Sequence, residues 1–342
     1  MIEEYRVQFQ KKALEAGYTQ SNIDACLSYA EPILKKGLPV IYNTSHLAGL
    51  VGYKKDYIKR AVFYPDFFYR RFEIKKKNGQ SRELAEPLPS LKEIQYWILQ
   101  SILKKIKVSP FAKAYRPKVG IISNLDYHVN QPMVFCMDIK DFFPSISLQN
   151  IEKIFHDLSY SNIVSNLLAK LCTLNGALPQ GAPTSPYLSN LYFRQIDYQI
   201  SEYCKKHKIK YTRYADDLTF SGEFQSEILF EKVKKIFDEN GLEINEEKVQ
   251  LMTRNMRQLV TGVVVNDKRQ VPFAKRNKLR QTMYFIQKFG LQNHMEHENI
   301  TQSNYVEHLL GKVNFILQMN PRDTEFRQYK SVLKSLRNID NN

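Results

Sequence analysis

Long apolar runs are missing from this sequence. No stretch approaches the roughly 18 residues that a membrane-spanning helix needs. The start, MIEEYRVQFQKKALEAG, lacks the basic flank and apolar core of a signal peptide. Internal repeats and low-complexity segments are also missing, which excludes a solenoid. The sequence therefore predicts a cytoplasmic globular protein that has no membrane partner.

Cysteine is scarce, and the four cysteines lie far apart without any Cys-x-x-Cys pair. This spacing argues against a disulfide framework and against a zinc site, so we expect reduced, mostly buried thiols. His294 and His297 have a ligand-like spacing, but no cysteine or aspartate lies near them in the sequence. We interpret both histidines as surface or packing residues.

Basic residues are abundant: 50 Lys and Arg stand against 35 Asp and Glu, which gives a net charge of +15. Residues 52–82 hold ten Lys and Arg against three Asp and Glu, and aromatic residues are interleaved among them. Basic side chains hold phosphates and aromatic rings stack on bases, so this pattern favours a nucleic-acid partner. A solvated basic face over an aromatic core is the alternative.

Helical and strand patterns alternate along the chain. Residues 1–50 read as helices, with Ser21 as a candidate N-cap, and residues 150–176 read as helical up to Gly176. The segment RRFEIKKKNGQSRELAEP predicts a β-hairpin around an Asn-Gly turn, and SLKEIQYWILQSILKKI predicts an amphipathic helix. The alternation favours an α+β domain, with helices on one face of an antiparallel sheet.

Carboxylates at two strand ends carry the chemical signal. Asp138 ends an apolar strand, and Asp216 and Asp217 lie at the tip of a predicted hairpin. A turn aspartate by itself usually caps backbone amides. If the two strands are neighbours, the carboxylates converge with nothing cationic in the local sequence, which is costly unless divalent ions bind. Two Mg²⁺ ions (or Mn²⁺) about 4 Å apart would clamp the attacking hydroxyl and the leaving pyrophosphate.

Four ordered motifs resemble those of the reverse transcriptase family, and within it the bacterial retron type. They are FCMDIKDFFP (135–144), LPQGAPTSP (178–186), YADD (214–217) and GLEINEEK (241–248). The resemblance covers about residues 55–275. Two further segments resemble retron signatures. Residues 124–128 (NLDYH) resemble Asn-Ala-x-x-His with leucine in place of alanine, and residues 260–262 match Val-Thr-Gly.

The resemblance implies a right-hand polymerase: fingers, a palm of antiparallel sheet with helices on one face, and a helical thumb. The implied boundaries are an N-terminal helical extension at 1–50, fingers at 51–135 with 158–178 contributing, palm at 136–157 and 179–264, and an RNA-binding thumb at 265–342.

The resemblance also assigns roles in catalysis. Asp138 and Asp216 would bridge both metals, and the Ile139 backbone carbonyl would complete one of the two sites. Asp217 is either a weaker ligand or a turn-forming residue. Asp141 is expected to cap the turn that follows Asp138 rather than to bind metal.

Nucleotide binding is implied for a second set of residues. Phe143 would exclude a 2′-hydroxyl, unless Phe142 and Phe143 are both core rings. Gln180 and Gly181 would lie beneath the incoming nucleotide. The triphosphate would be held by Arg82 with Lys75 or Lys76, the choice within the Lys75-Lys76-Lys77 run being open. Lys248 would either protonate the leaving pyrophosphate or be solvated.

RNA binding is implied for both retron signatures and for the basic C-terminal helices. These residues are Asn124, His128, Val260, Thr261, Gly262, Lys275, Arg276, Lys278 and Arg280. For His128, a buried histidine with satisfied hydrogen bonds is the alternative.

The implied function is a retron enzyme that copies part of its cognate noncoding RNA, of msr-msd type, into single-stranded DNA. It would use dNTPs, start from an RNA 2′-hydroxyl, yield a branched RNA–DNA product and act in phage defence beside a separate effector protein. Two rivals remain: a non-retron bacterial reverse transcriptase, and a scaffold that holds an RNA–DNA complex to inhibit its partner.

Overall fold

The structure is a computed structural model that describes residues 2–75, 79 and 81–340. Helices and strands alternate in the α+β arrangement that the sequence predicts. The helices are α1 (Ile2–Glu15), α2 (Gln20–Lys35), α3 (Thr44–Val51), α4 (Lys55–Phe63), α5 (Pro89–Ser101), α6 (Ile121–Leu125), α7 (Leu148–Asp157), α8 (Asn162–Cys172), α9 (Ser185–Lys206), α10 (Ser226–Asp238), α11 (Phe273–Phe289), α12 (Leu291–His297), α13 (Tyr305–Met319) and α14 (Thr324–Asp340). The strands are β1 (Tyr69–Lys75), β2 (Ser81–Pro87), β3 (Met133–Asp138), β4 (Lys210–Tyr214), β5 (Asp217–Gly222), β6 (Gln250–Thr253), β7 (Leu259–Val260) and β8 (Val263–Val264). Within the described ranges, no helix is long and apolar enough to cross a membrane.

The chain forms two compact units. The first comprises Met1–Lys118, Ile139–Tyr203 and Phe230–Asn245, and the second comprises Val119–Asp138, Cys204–Leu229 and Glu246–Asn342. These two units do not correspond to the predicted fingers, palm and thumb, and the boundaries of those three parts stay a prediction. The four cysteines are free thiols, as predicted.

In the first unit, β1 and β2 form the predicted antiparallel hairpin. Helix α5 follows it and buries the apolar stripe that its periodicity predicts, including Ile94 and Ile98. Two predictions are wrong. Thr19, not Ser21, caps α2, because its hydroxyl accepts a hydrogen bond from the Asn22 N–H. The helix predicted for 150–176 is broken into α7 and α8, because Ser159 adopts a left-handed φ of 78° between them.

The second unit contains an antiparallel sheet with strand order β4-β5-β3-β6. Its central strand β3 is paired on both edges, and Val134 and Met137 on it are buried. One apolar cluster continues from this sheet through β7 and β8 into helices α11, α13 and α14, with Val260, Met283 and Val313 at its centre. Burial on this scale fixes the strand ends that carry the aspartates.

Candidate active site

A two-residue turn joins β4 to β5. Tyr214 and Asp217 are paired across the hairpin, so Ala215 and Asp216 form the turn itself. Ala215 adopts φ 58°, the left-handed value that such tight hairpin turns need at their first central residue. Arg213 is fully buried, and its guanidinium donates a hydrogen bond of 3.0 Å to the Ala215 carbonyl. Arg213 is not among the site residues predicted from the sequence, where its one distinguishing feature is its position directly before the YADD motif.

The three aspartates converge because β5 pairs with β3. Asp217 lies opposite Asp138 in the antiparallel register, and Asp216 precedes it in the turn. One carboxylate oxygen from each residue lies within 4.8 Å of the other two. Among the described residues this is the only group of three or more potential metal ligands of this kind. The strands that carry the aspartates are therefore neighbours, as the predicted convergence of the carboxylates requires.

Crowding and burial make this cluster electrostatically unfavourable without a cation. Asp138 is only 7% exposed. Burial, together with the neighbouring charges of Asp216 and Asp138, raises the pKa of Asp217 to about 7. A set of carboxylate oxygens with excess negative charge is the donor set that hard divalent cations prefer. The residues present therefore fit a divalent metal site.

Lys248 brings a cation to the cluster. Its ammonium lies 2.7 Å from Oδ1 of Asp138, from which it is separated by 110 residues in the sequence. The lysine ends a 3₁₀ turn directly before β6, and β6 pairs with β3. Its side chain is 58% exposed, so it can leave Asp138 without unfolding its surroundings. The local sequence had suggested no cation here, and the tertiary structure supplies one.

Two further residues of the Asp138 motif, Ile139 and Asp141, belong to the first unit. Asp141 adopts φ 45°, and its backbone carbonyl accepts a hydrogen bond of 2.8 Å from the Ser145 N–H. It is thus a turn residue, and a capping role for its side chain stays a prediction. Ile139 is buried and forms an isolated β-bridge with Ile244. The metal-binding role of its carbonyl stays a prediction.

In the first unit, the loop that contains Gln180 and Gly181 is attached to β2. The Gln180 carbonyl accepts a hydrogen bond of 2.8 Å from the Ala85 N–H. A Cβ atom on Gly181 would lie 2.7 Å from the Ala85 carbonyl oxygen, and Gly181 has φ 126°. Glycine is therefore required at position 181, because the backbones of the loop and of β2 approach each other closely. The same loop also contacts the turn after Asp141, because the Leu178 N–H donates to the Ile146 carbonyl.

The two adjacent phenylalanines have different surroundings. Phe142 is 5% exposed and packs on Phe193 with ring centroids 5.3 Å apart, so it is the core ring. Phe143 is half-buried, and its ring centroid lies 6.3 Å from that of Tyr115. Tyr115 is 43% exposed and was missed by the sequence analysis. In the sequence, only its spacing from Asp138 distinguishes Phe143 from Phe142. The role of Phe143 as a gate stays a prediction.

The basic hairpin is described in part. Lys75 is exposed at the end of β1, opposite Ser81. The backbone of Arg82 lies in β2 opposite Ile74. The side chain of Arg82, together with Lys76, Lys77 and Asn78, lies outside the described residues.

Comparisons with known proteins assign the family. Residues 74–283 match the family described as Reverse transcriptase (RNA-dependent DNA polymerase). The retron Ec86 reverse transcriptase of Escherichia coli is 30% identical over 291 residues, which cover 84% of this chain and 87% of that protein. The chain belongs to the retron reverse transcriptases. It is an RNA-directed DNA polymerase, a nucleotidyltransferase.

A second retron relative and a viral reverse transcriptase structure are also similar to this chain. The retron Mx65 reverse transcriptase of Myxococcus xanthus is 30% identical over 279 residues, which cover 75% of this chain and 62% of that protein. Among solved structures, a foamy viral protease-reverse transcriptase in complex with double-stranded DNA has 18% identity and a TM-score of 0.44. That alignment covers 79% of this chain and 39% of the viral one.

The first retron signature of this reverse transcriptase lies inside the protein. Asn124 and His128 have no exposed surface. His128 Nδ1 lies 2.7 Å from Ser221 Oγ, and Nε2 lies 2.7 Å from Thr212 Oγ1. The prediction that these two side chains contact RNA directly is therefore wrong for this structure, and the alternative of a satisfied buried histidine is correct.

The second signature of the reverse transcriptase is a strained turn. Val260 and Val263 are paired, so Thr261 and Gly262 form a two-residue loop with φ 45° and φ 78°. Val260 is fully buried, which corrects its predicted contact with RNA. Thr261 is β-branched and rarely adopts such a φ. Its Oγ1 is buried and lacks a partner among the described residues.

Two of the four predicted RNA contacts on α11 are used within the enzyme. Arg276 pairs with Asp323, and the Arg280 guanidinium makes two hydrogen bonds of 2.6 and 2.7 Å to Glu325. Both guanidinium groups also lie over the Phe326 ring. The i and i+4 positions direct both arginines toward the start of α14. Their predicted contact with RNA stays a prediction.

Lys275 and Lys278 occupy another face of α11 and are exposed. With Lys312, Phe285 and Phe315 they line a cavity of about 470 Å³. The phenylalanine rings are 45% and 37% exposed. The reverse transcriptase therefore has a concave surface that combines lysines with accessible aromatic rings.

Proposed function

We propose that this reverse transcriptase copies part of a cognate msr-msd type noncoding RNA into single-stranded DNA (msDNA), starting from an RNA 2′-hydroxyl. The carboxylate cluster of Asp138, Asp216 and Asp217 is the single observation that carries the polymerase chemistry. Similarity to retron enzymes supports the choice of template, the priming and the branched RNA–DNA product.

In this proposal, Asp138 and Asp216 hold two Mg²⁺ ions, for which Mn²⁺ can substitute. Asp217 is a weaker ligand, and the Ile139 carbonyl completes one set of ligands. Bound ions would stabilise negative charge on the attacking and leaving oxygens. The raised pKa of Asp217 supports this assignment, because burial and the neighbouring carboxylates make its negative charge unfavourable unless a cation lies nearby.

The chain's own residues select and orient the nucleotide. Phe143 excludes a 2′-hydroxyl by steric overlap, so that dNTPs are chosen over NTPs. The Gln180 Oε1 atom is buried and lacks a donor among the described residues, so it can accept a hydrogen bond from sugar or template. Gly181 keeps this loop against β2. Lys75 or Lys76 holds the triphosphate together with Arg82, since arginine suits a forked phosphate contact.

Lys248 is the proposed proton donor to the leaving pyrophosphate. Its ammonium lies at the carboxylate cluster, and its side chain is exposed enough to exchange Asp138 for another partner. Release from Asp138 when cations bind there would leave the ammonium with a proton to donate.

RNA is held by the C-terminal helices through phosphate contacts and shape. Lys275 and Lys278 are the proposed phosphate contacts, and the exposed rings beside them suit unstacked bases. The Thr261-Gly262 turn is a further candidate contact, since its strain and its unpartnered hydroxyl are typical of functional sites. The enzyme would act in phage defence with a separately encoded effector protein.

The test is to purify the protein from its native locus and to treat the bound nucleic acid with RNase and with debranching enzyme. We expect short DNA joined covalently to RNA, and its loss in an Asp216→Asn protein. Asp141→Asn is the matched control, because that aspartate lies outside the ligand cluster and should leave the product intact. Protein without DNA in every case would contradict the proposal, and DNA without a branch would favour a non-retron mode of priming.

A further inference from the structure

Residues 124–131 connect two parts of the second unit, and we refer to them as the bridging segment. They comprise the end of α6 and the loop that leads to β3. On one side, their side chains bond to the strands of the hairpin that carries Asp216 and Asp217. On the other side, backbone atoms and one side chain of the segment contact residues 258–269, which surround the Thr261-Gly262 turn.

The contacts with the hairpin form a directed chain of hydrogen bonds. Thr212 on β4 donates its hydroxyl hydrogen to Asn124 Oδ1 over 2.6 Å. The Thr212 oxygen therefore accepts from the Nε2–H of His128, and the other nitrogen of a neutral ring accepts from the Ser221 hydroxyl on β5. All four side chains have no exposed surface. Each hydrogen bond thus depends on the next, and water is excluded from all of them.

The contacts with residues 258–269 use other atoms of the same segment. The Asn130 N–H donates to the Val265 carbonyl over 3.0 Å, and the Gln258 amide donates to the Gln131 carbonyl over 3.0 Å. Asp126 forms an ion pair of 3.3 Å with Arg269. In addition, Leu125 belongs to the same apolar cluster as Val260 and Val263.

We propose that the bridging segment is a positioning element, which holds the β4–β5 hairpin in fixed register with the β7–β8 turn. Asn124 and His128 then act through Thr212 and Ser221 on the geometry of the carboxylate cluster and not by touching RNA. The two retron signatures, residues 124–128 and 260–262, are thereby connected through hydrogen bonds and a shared apolar cluster. This inference rests on the proposed polymerase function.

The hairpin needs such support for a physical reason. It presents two carboxylates beside a third, and repulsion among them favours a separation of β5 from β3 at the strand ends, where Asp217 is paired with Asp138. Metal-dependent catalysis tolerates little displacement, because a shift of about 1 Å in a reacting group can cost a factor of roughly 100 in rate. Buried hydrogen bonds on both strands resist that displacement.

The test is Thr212→Val, which removes one hydroxyl while keeping the shape of the side chain. Thr173→Val is the matched control. Thr173 is also buried and donates its hydroxyl to a backbone carbonyl, that of Ala169, but it lies in the first unit. Single-turnover extension of a DNA primer on an RNA template is measured with saturating dNTP. Active sites are counted by burst titration, so that misfolded molecules do not contribute.

We expect Thr212→Val to lower the rate per active site at least tenfold and to raise the Mg²⁺ concentration needed for half-maximal rate. RNA affinity should be unchanged, and Thr212→Ser should restore the rate. Equal rates per active site for Thr212→Val and Thr173→Val would overturn the inference, as would a loss of RNA affinity without a change in rate. Failure of the wild-type protein to extend any primer would instead count against the proposed function.

Discussion

At the scale of single residues, the free energy of the carboxylate cluster depends on protonation. Asp217 has a pKa of about 7 in the folded protein against an ordinary value of 3.8. A carboxyl group whose pKa is raised by folding stabilises the folded state fully below the lower value. It loses that contribution as the pH rises through the higher one. The metal-free protein should therefore become less stable between pH 4 and pH 7 because of this residue.

We predict that Asp217→Asn removes this loss of stability. In the presence of EDTA, the variant and the wild type should have similar free energies of unfolding near pH 4. At pH 8 the variant should be more stable by about 1–3 kcal/mol, a figure reduced for the partial exposure of the group. Urea unfolding at both pH values measures this. A variant that is less stable than wild type at pH 8 would contradict the assigned pKa.

Phe143 is the residue for which the structure separates two interpretations. Its neighbour Phe142 fills the core, so Phe143 is available as a gate. Phe143→Ala should raise the incorporation of NTPs relative to dNTPs on the order of tenfold or more, because the steric barrier to a 2′-hydroxyl is removed. The ratio of kcat/KM values for the two nucleotides measures this. An unchanged ratio would assign discrimination to another residue, for which Tyr115 is the nearest exposed ring.

At the scale of elements, the loop that contains Gln180 and Gly181 is held to β2 by a backbone hydrogen bond from the Ala85 N–H to the Gln180 carbonyl. The Gln180-Gly181 loop approaches β2 so closely that a single added carbon would collide with the Ala85 carbonyl. A φ of 126° at Gly181 adds to this demand. The requirement for glycine is thus steric as well as conformational.

We predict that Gly181→Ala lowers the free energy of unfolding by about 2–4 kcal/mol, because a collision is added to backbone strain. Gly176→Ala separates the two effects. Gly176 has φ 78°, but nothing lies within 4 Å of an added Cβ. This control should lose only about 1 kcal/mol from the unfavourable φ. Chemical denaturation compares the two variants, and equal losses would exclude the steric argument.

At the scale of the whole molecule, the positive charge has two uses. The net charge of +15 attracts polyanions at long range. Part of the same charge is used within the protein, since Arg276 pairs with Asp323 just before α14 and Arg280 pairs with Glu325 in its first turn. Among the basic residues predicted on α11, Lys275 and Lys278 instead line the cavity that Phe285 and Phe315 share.

We predict that Lys275→Ala and Lys278→Ala each weaken RNA binding and lower the slope of log affinity against log salt by about one. Arg280→Ala should instead lower stability and leave that slope unchanged, because its guanidinium is bonded to Glu325. RNA affinity measured across a series of KCl concentrations distinguishes these outcomes. If all three substitutions reduced the slope equally, Arg280 would also contact RNA, and this prediction would be wrong.

The sequence by itself determined the family, the alternation of helices and hairpins, and the positions of the aspartates. These features depend on local patterns: apolar periodicity, turn residues and ordered motifs. The β1–β2 hairpin and α5 lie where periodicity placed them, because both signals are short-range. The break between α7 and α8 was missed, because helical periodicity continues across a turn in which one serine takes a left-handed conformation.

Only the tertiary structure decided which carboxylates meet, what neutralises them and which polar residues are buried. Lys248 reaches Asp138 across 110 residues of sequence, and no local pattern encodes such a contact. Burial likewise turned Asn124 and His128 from predicted RNA contacts into internal hydrogen-bonding groups. The physical reason is that desolvation and pairing are properties of neighbours in space, and strand pairing brings those neighbours together from distant parts of the chain.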